Sequence, residues 1–190
     1  MRKATHNDKN LIINILTRSF DKNKSVNYII KEDKKRLRRI SALMAYSFEV
    51  CYLFGQIYLS DDNRACALVL YPHTKKTTLK SVLLDVELMY KCIGFSSLGK
   101  AINRESKINK LQPNEPKYYL WFIGVDPEYQ SLGTGSSLLT EIIVESEEQA
   151  LPLYLETSTL RNLPFYHKFG FKVYDELDLS YKLYFLKRDP

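Results

Sequence analysis

The chain predicts a one-domain α/β protein in which helices cover a sheet, and three observations lead there. Residues 118–125, Tyr-Tyr-Leu-Trp-Phe-Ile-Gly-Val, form a continuous apolar run rich in aromatic and β-branched types, which suits a central strand buried on both faces. A glycine-bearing loop leads from it into a stretch where Leu138, Leu139, Ile142 and Ile143 recur at helical spacing, with Glu141, Glu145, Glu147 and Glu148 left to solvent. At 190 residues and 45% hydrophobic content, the chain can bury about 70% of its unfolded surface around one core and needs no second domain.

The remaining elements follow in order. A first helix over residues 8–20 carries Leu11, Ile12, Ile15 and Leu16 on one side. A second, over residues 34–54, buries Leu37, Ile40, Leu43, Met44 and Phe48, so the basic side chains at its start form a solvated face. Strands at 56–59 and 65–71 flank Asp61, Asp62 and Asn63, a hairpin signal. Residues 79–93 and 98–111 read as helices, and Pro113 and Pro116 break the chain before the central strand. Beyond the glycine loop and its helix come a short strand at 153–155 and a short helix from about Asn162. Gly170 stands where that helix's C-terminus wants a left-handed residue. Strands near 172–174 and 179–186 close the chain. Gly124 weakens the central strand, so it marks a bulge or a close backbone approach, or makes room for packing around Trp121 and Phe122.

Composition narrows the function. The three cysteines, Cys51, Cys66 and Cys92, have no metal-ligand spacing and read as reduced core thiols, with no metal implied. Residues 1–10 are polar, unlike a signal peptide, and no apolar run approaches the ~18 residues a membrane span needs, so a soluble cytoplasmic protein with no membrane partner is expected. The net charge of +6, concentrated at Lys34, Lys35, Arg36, Arg38 and Arg39, raises nucleic-acid binding as one function class. No groove-reading motif or aromatic platform accompanies that cluster, which leaves weak, salt-sensitive association and no specific nucleic-acid partner. Cation excess also suits a polyanionic ligand.

The loop Gln130-Ser131-Leu132-Gly133-Thr134-Gly135-Ser136 carries the chemistry. Its glycines let backbone approach a ligand with φ > 0, and the first amides of the following helix, with the helix dipole, make an anion site. A Walker A loop would place Lys after the last glycine, where Ser136 stands, and a dinucleotide fingerprint would want glycine in place of Leu138. The pattern that remains, Gln-x-x-Gly-x-Gly, resembles the acetyl-CoA loop of the GNAT superfamily of N-acetyltransferases. A second GNAT signature agrees in Asn162, Phe165, Tyr166, Gly170 and Phe171. The run from Leu155 through Tyr166, Leu-Glu-Thr-Ser-x-x-Arg-Asn-Leu-Pro-Phe-Tyr, is similar to the puromycin N-acetyltransferases and their relatives, with looser likeness at Arg2, Ser19 and Ala67.

The resemblance implies a mixed, mainly antiparallel twisted sheet flanked by helices. It also implies acetyl-CoA as co-substrate, with its pyrophosphate at residues 130–136, its pantetheine arm on the backbone of Ile123, Gly124 and Val125, and Asn162 beside it. Acetyl transfer to an amine needs a neutral amine, a stabilised oxyanion and a protonated leaving thiolate. A backbone N–H near Val125 meets the second need, and Tyr166 matches the family's general-acid tyrosine. No carboxylate lies in residues 118–125, so Glu156 is the nearest base, acting directly or through water. The alternative is that Glu156 caps the loop after it or holds Arg161. His167 reads as a surface residue. An acceptor pocket lined by the first two helices, Tyr71, His73, Trp121 and the closing strands would take a small amphipathic amine, drug or polyamine. The expected partner is therefore a small-molecule amine, and the expected state a monomer or homodimer. A non-catalytic acyl-CoA sensor is the rival class, and Tyr166 favours the enzyme.

Overall fold

The structure is a computed structural model that describes residues 1–93 and 98–190. Seven strands form one sheet: β1 (Arg2–Lys3), β2 (Gly55–Leu59), β3 (Ala65–Leu70), β4 (Tyr118–Val125), β5 (Leu153–Thr157), β6 (Lys172–Asp178) and β7 (Lys182–Arg188), in the order β1-β2-β3-β4-β5-β7-β6. Every neighbouring pair is antiparallel except β4 and β5, which are parallel. The helices are α1 (Lys9–Ser19), α2 (Lys24–Ile29), α3 (Arg36–Phe54), α4 (Leu79–Leu88), α5 (Leu98–Leu111), α6 (Thr134–Glu148) and α7 (Leu163–Lys168).

Strand alternation divides the core between the two faces of the sheet. On one face, Ile57, Leu59, Cys66, Leu68 and Phe122 meet Ile12, Ile15 and Leu16 of α1 and Ile40, Leu43, Met44 and Phe48 of α3. On the other, Tyr58, Ala67, Val69, Tyr118 and Leu120 meet Leu138, Leu139, Ile142 and Ile143 of α6 and Tyr166 of α7. A third cluster sets Ile108 of α5 against Tyr181, Leu183 and Phe185. All three cysteines are buried and unbonded, and burial pushes their thiols up, Cys92 to about 12.

Several details differ from the sequence-based expectation. Leu37 is exposed, so the buried stripe of α3 begins at Ile40. The basic cluster at the start of α3 is partly neutralised, since Arg36 pairs with Asp21, and Arg39 with Asp33 at 3.0 Å. The helix foreseen over residues 79–93 is α helix only to Leu88. It continues as a π-helical turn, Met89–Ile93, that buries Cys92 and Ile93. The closing hairpin is longer than foreseen, and two short elements were not foreseen at all. These are β1, and α2, capped by Asn23, whose Oδ1 accepts from the Val26 amide at 3.0 Å.

Gly124 does not mark the bulge. Leu68 faces Phe122 while Val69 faces Leu120, so the extra residue in β4 is Trp121. Trp121 and Phe122 consequently both pack on the α1–α3 side. Gly124 is instead a close approach to α1, where an added Cβ would lie 2.9 Å from both Leu16 Cδ2 and Ser19 Oγ. Gly124→Ala is expected to cost about 1–3 kcal/mol by overpacking. Urea denaturation measures it, and an unshifted midpoint would show that α1 yields freely.

Candidate active site

The site begins where the central ladder stops. β4 and β5 pair only through Tyr118 with Leu153 and Tyr119 with Tyr154, and beyond Tyr119 the strands part. On its other edge β4 stays bonded to β3, with Gly124 opposite Cys66 and the Asp126 amide donating to Arg64 O at 2.8 Å. Antiparallel alternation then turns the N–H and C=O groups of Ile123 and Val125 toward the gap. Val125 O is engaged, accepting from Ser19 Oγ at 3.1 Å and Gln130 Nε2 at 3.3 Å. Among the described residues, no strand pairs with the amides of Ile123 and Val125 where they face the gap.

At the open end of the gap lies the glycine loop. Asp126 and Glu128 are tied to Arg18 of α1 at 2.9 and 2.6 Å, which fixes the loop's entry. Gly133 has φ +87° and opens α6 with no side-chain cap, so the first amides of the helix are not claimed by a side chain of the loop. Gly135 is already helical, and its role is spatial, because a Cβ there would lie 3.0 Å from Val125 Cγ2. Positive φ was expected at Gly135 as well as at Gly133, but the second left-handed residue of the loop is Ser131, at φ +67°. A strand gap lined by backbone donors, an uncapped helix start and a glycine against the strand end together fit an extended arm ending in a pyrophosphate.

Tyr166 and Glu156 approach from opposite faces of the sheet. Tyr166 is buried on α7 among Leu138, Leu155 and Phe171, and its ring stands edge-on to Phe165 and Phe171 at 5.3 and 5.7 Å. Burial pushes its phenol up to about 12, so it carries its proton throughout the physiological range. Gly170, at φ +82°, closes this helix as the sequence indicated. Glu156 follows Leu155 on β5 and therefore points the other way, toward α5. Its Oε2 accepts from the Tyr119 hydroxyl, and its Oε1 from Gln112 Nε2 at 2.6 Å. Burial raises its carboxyl above the usual range, against the opposing pull of the Tyr119 and Gln112 hydrogen bonds and of the Arg104 cation. Neither capping of the following loop nor a bond to Arg161 is among its hydrogen bonds; Tyr119 and Gln112 hold it instead.

The structure does not bring Tyr71 and His73 together with Trp121. Tyr71 packs with Tyr118 at 4.9 Å on the α6 side, and His73 Nδ1 accepts from the Lys117 amide at 3.4 Å, both at the start of β4. Trp121 lies on the opposite face beside Tyr46 and Phe122. The acceptor pocket expected from those three residues is therefore not formed. His167 is exposed and Asn162 half-buried at the start of α7. Surface depressions of about 560 Å³ over α5 and about 240 Å³ between α3 and α4 contain neither Tyr166 nor Glu156. Among the described residues, no helix is long and apolar enough to cross a membrane.

A mainly antiparallel sheet whose single parallel pair splays beside an uncapped helix start is the fold of the GNAT acyltransferases. The acetyltransferase (GNAT) domain family matches residues 81–173, a span that holds the glycine loop, Glu156 and Tyr166. An uncharacterized N-acetyltransferase of Schizosaccharomyces pombe is 36% identical over 58 residues, 30% of this chain, and the chain spans only 24% of that relative's length. Among solved structures, a histone acetyltransferase HPA2 and related acetyltransferase of Corynebacterium glutamicum is similar over 100% of this chain and 95% of its own, with TM-score 0.70 and 17% identity. Arylalkylamine N-acetyltransferase 2 of Aedes aegypti is similar over 99% and 97%, with TM-score 0.66 and 13% identity. At these identities the likeness is one of fold.

Proposed function

We propose that residues 1–190 form one cytoplasmic domain that transfers an acetyl group from acetyl-CoA to a primary amine of a small molecule, both bound together. The observation that carries this reading is the parting of β4 from β5 with the Ile123 and Val125 amides turned into the gap. Acetyl-CoA, when bound, supplies the activated thioester. The loop from Gln130 to Ser136 would hold its pyrophosphate, with Asn162 close by, and the backbone of Ile123 and Val125 its arm; Gly124, expected to join them, faces Cys66 in the β3 ladder instead.

The side chains divide the proton work. Glu156 takes a proton from the acceptor amine, directly or through water, and its raised affinity for protons makes it a better base than a free carboxylate. Tyr166 supplies a proton from its hydroxyl to the departing thiolate. A backbone amide near Val125 is a fixed donor for developing negative charge, positioned in advance by the β3 ladder.

The test is thiol release from acetyl-CoA across an amine panel, with Glu156→Gln as the diagnostic variant. Because the Glu156 carboxyl is raised, the acidic limb of wild-type kcat/KM should lie above the usual carboxylate range and fall as pH drops through it. Glu156→Gln should lose that limb and recover rate only at alkaline pH, where the amine deprotonates unaided. An unaltered pH profile would assign the proton to bulk water.

A further inference from the structure

Beside Glu156 the acceptor side holds a second charge of opposite sign. Arg104 of α5 is only 15% exposed. Its Nε donates to the Tyr181 hydroxyl at 3.0 Å and its Nη2 to Ser25 Oγ at 2.6 Å. The Tyr181 hydroxyl in turn donates to Ser25 Oγ at 3.2 Å. The Ser25 amide donates to Ser158 Oγ at 3.3 Å, and Ser158 stands two residues beyond Glu156. Arg104, Tyr181 and Ser25 thus form one polar cluster, joined through Ser158 to the end of the strand that carries Glu156.

The charge balance there is incomplete. The carboxylate contact of Arg104 among the described residues is Glu105, at 3.3 Å and with a side chain 61% exposed. Such a pair offsets little of the cost of burying a guanidinium. Glu156 feels the Arg104 charge, yet both its oxygens are held by Tyr119 and Gln112. Of the five N–H donors of a guanidinium, three are committed to Tyr181, Ser25 and Glu105. A second cation lies one turn away, with Lys100 Nζ 3.8 Å above the Tyr28 ring. An anion arriving here would find two guanidinium donors, the Ser25 hydroxyl proton and a positive field.

Resting on the acetyl-transfer reading above, we infer that Arg104, with Ser25 and Tyr181, binds a carboxylate of the acceptor, so that the substrate is an aminocarboxylate with its amine at Glu156. Gln112, which touches Glu156, follows the last residue of α5, about two turns and about 12 Å of helix rise beyond Arg104. That spacing favours an amine and a carboxylate separated by several atoms over an α-amino acid. A polyamine would instead bring a second cation against Arg104 and Lys100.

Thiol release measured for ω-amino acids of graded chain length, each beside the alkylamine of equal length, tests the inference. Wild type should show the lower KM for the amino acid. Arg104→Gln should raise that KM about 10- to 100-fold more than the alkylamine KM, as loss of a charged hydrogen bond predicts, and Arg104→Lys should keep part of the preference. Equal rises in both KM values would make Arg104 a pin between α5 and α2, and a wild-type preference for the alkylamine would also overturn the inference. Calorimetric titration of the ω-amino acids into protein saturated with CoA gives a readout independent of transfer. Saturable binding lost in Arg104→Gln sustains the carboxylate site even where no thiol is released, an outcome that would count against the acetyl-transfer reading alone. No saturable binding to wild type overturns the site.

Discussion

Tyr166→Phe should lower turnover roughly 10²- to 10⁴-fold while leaving acetyl-CoA affinity in place. The variant removes one oxygen and keeps the ring, so the edge-on contacts with Phe165 and Phe171 and the burial against Leu138 persist. The phenol has no hydrogen-bond partner among the described residues, and its loss therefore leaves no stranded donor or acceptor to blur the result. What disappears is a proton held in a buried place, where burial keeps the phenol protonated. Single-turnover thiol release reads the chemical step and calorimetry reads binding. Near-normal turnover on the best amine would remove Tyr166 from the proton relay.

Gly135→Asp should weaken acetyl-CoA binding by about 100-fold or more, the scale of two lost hydrogen bonds to a charged group. The Asp carboxylate would sit in the first turn of α6, where it can accept from the same free amides that a phosphate would use. Helix stability should hold or rise for that reason, against the strain of a Cβ 3.0 Å from Val125 Cγ2. Binding and stability therefore move separately. Calorimetry beside a thermal melt resolves them, and undiminished affinity in a folded variant would remove the loop from the site.

Periodicity and punctuation made much of this fold legible. The apolar run of β4, the stripe of α6 and the glycine at 170 are local patterns, and each stands where it was expected. Two short elements escaped for different reasons: β1 owes its form to pairing of Arg2 with Leu59 and Lys3 with Tyr58, whereas six-residue α2 is too short to show helical periodicity and is marked only by its Asn23 cap. Gly124 shows how one residue supports two readings. A glycine in a strand signals either a bulge or a close neighbour, and only the position of Leu16 and Ser19 decides between them.

The site divides along the same line. Tyr166 and the loop belong to contiguous motifs, whereas Gln112, Tyr119 and Arg104 reach Glu156 or its surroundings from separate elements. A Gln just past the end of α5 carries no local mark of that role. Tyr71, His73 and Trp121 failed as a group for a different reason. Assigning them to one pocket ignored the parity of strand residues, and the bulge at Trp121 shifts that parity within β4 itself.

The two residue pairs that join β4 to β5 have a mechanical meaning. They make the sheet two plates, β1 to β4 and β5 to β6, meeting along a short seam, and the unpaired edge beyond it is a missing strand. A ligand arm bonded to that edge would complete the ladder, so under the proposed function the co-substrate would be a structural member as well as a reactant. Its binding energy is then also cohesion between the plates, and the protein should be most tightly knit when charged with acetyl-CoA.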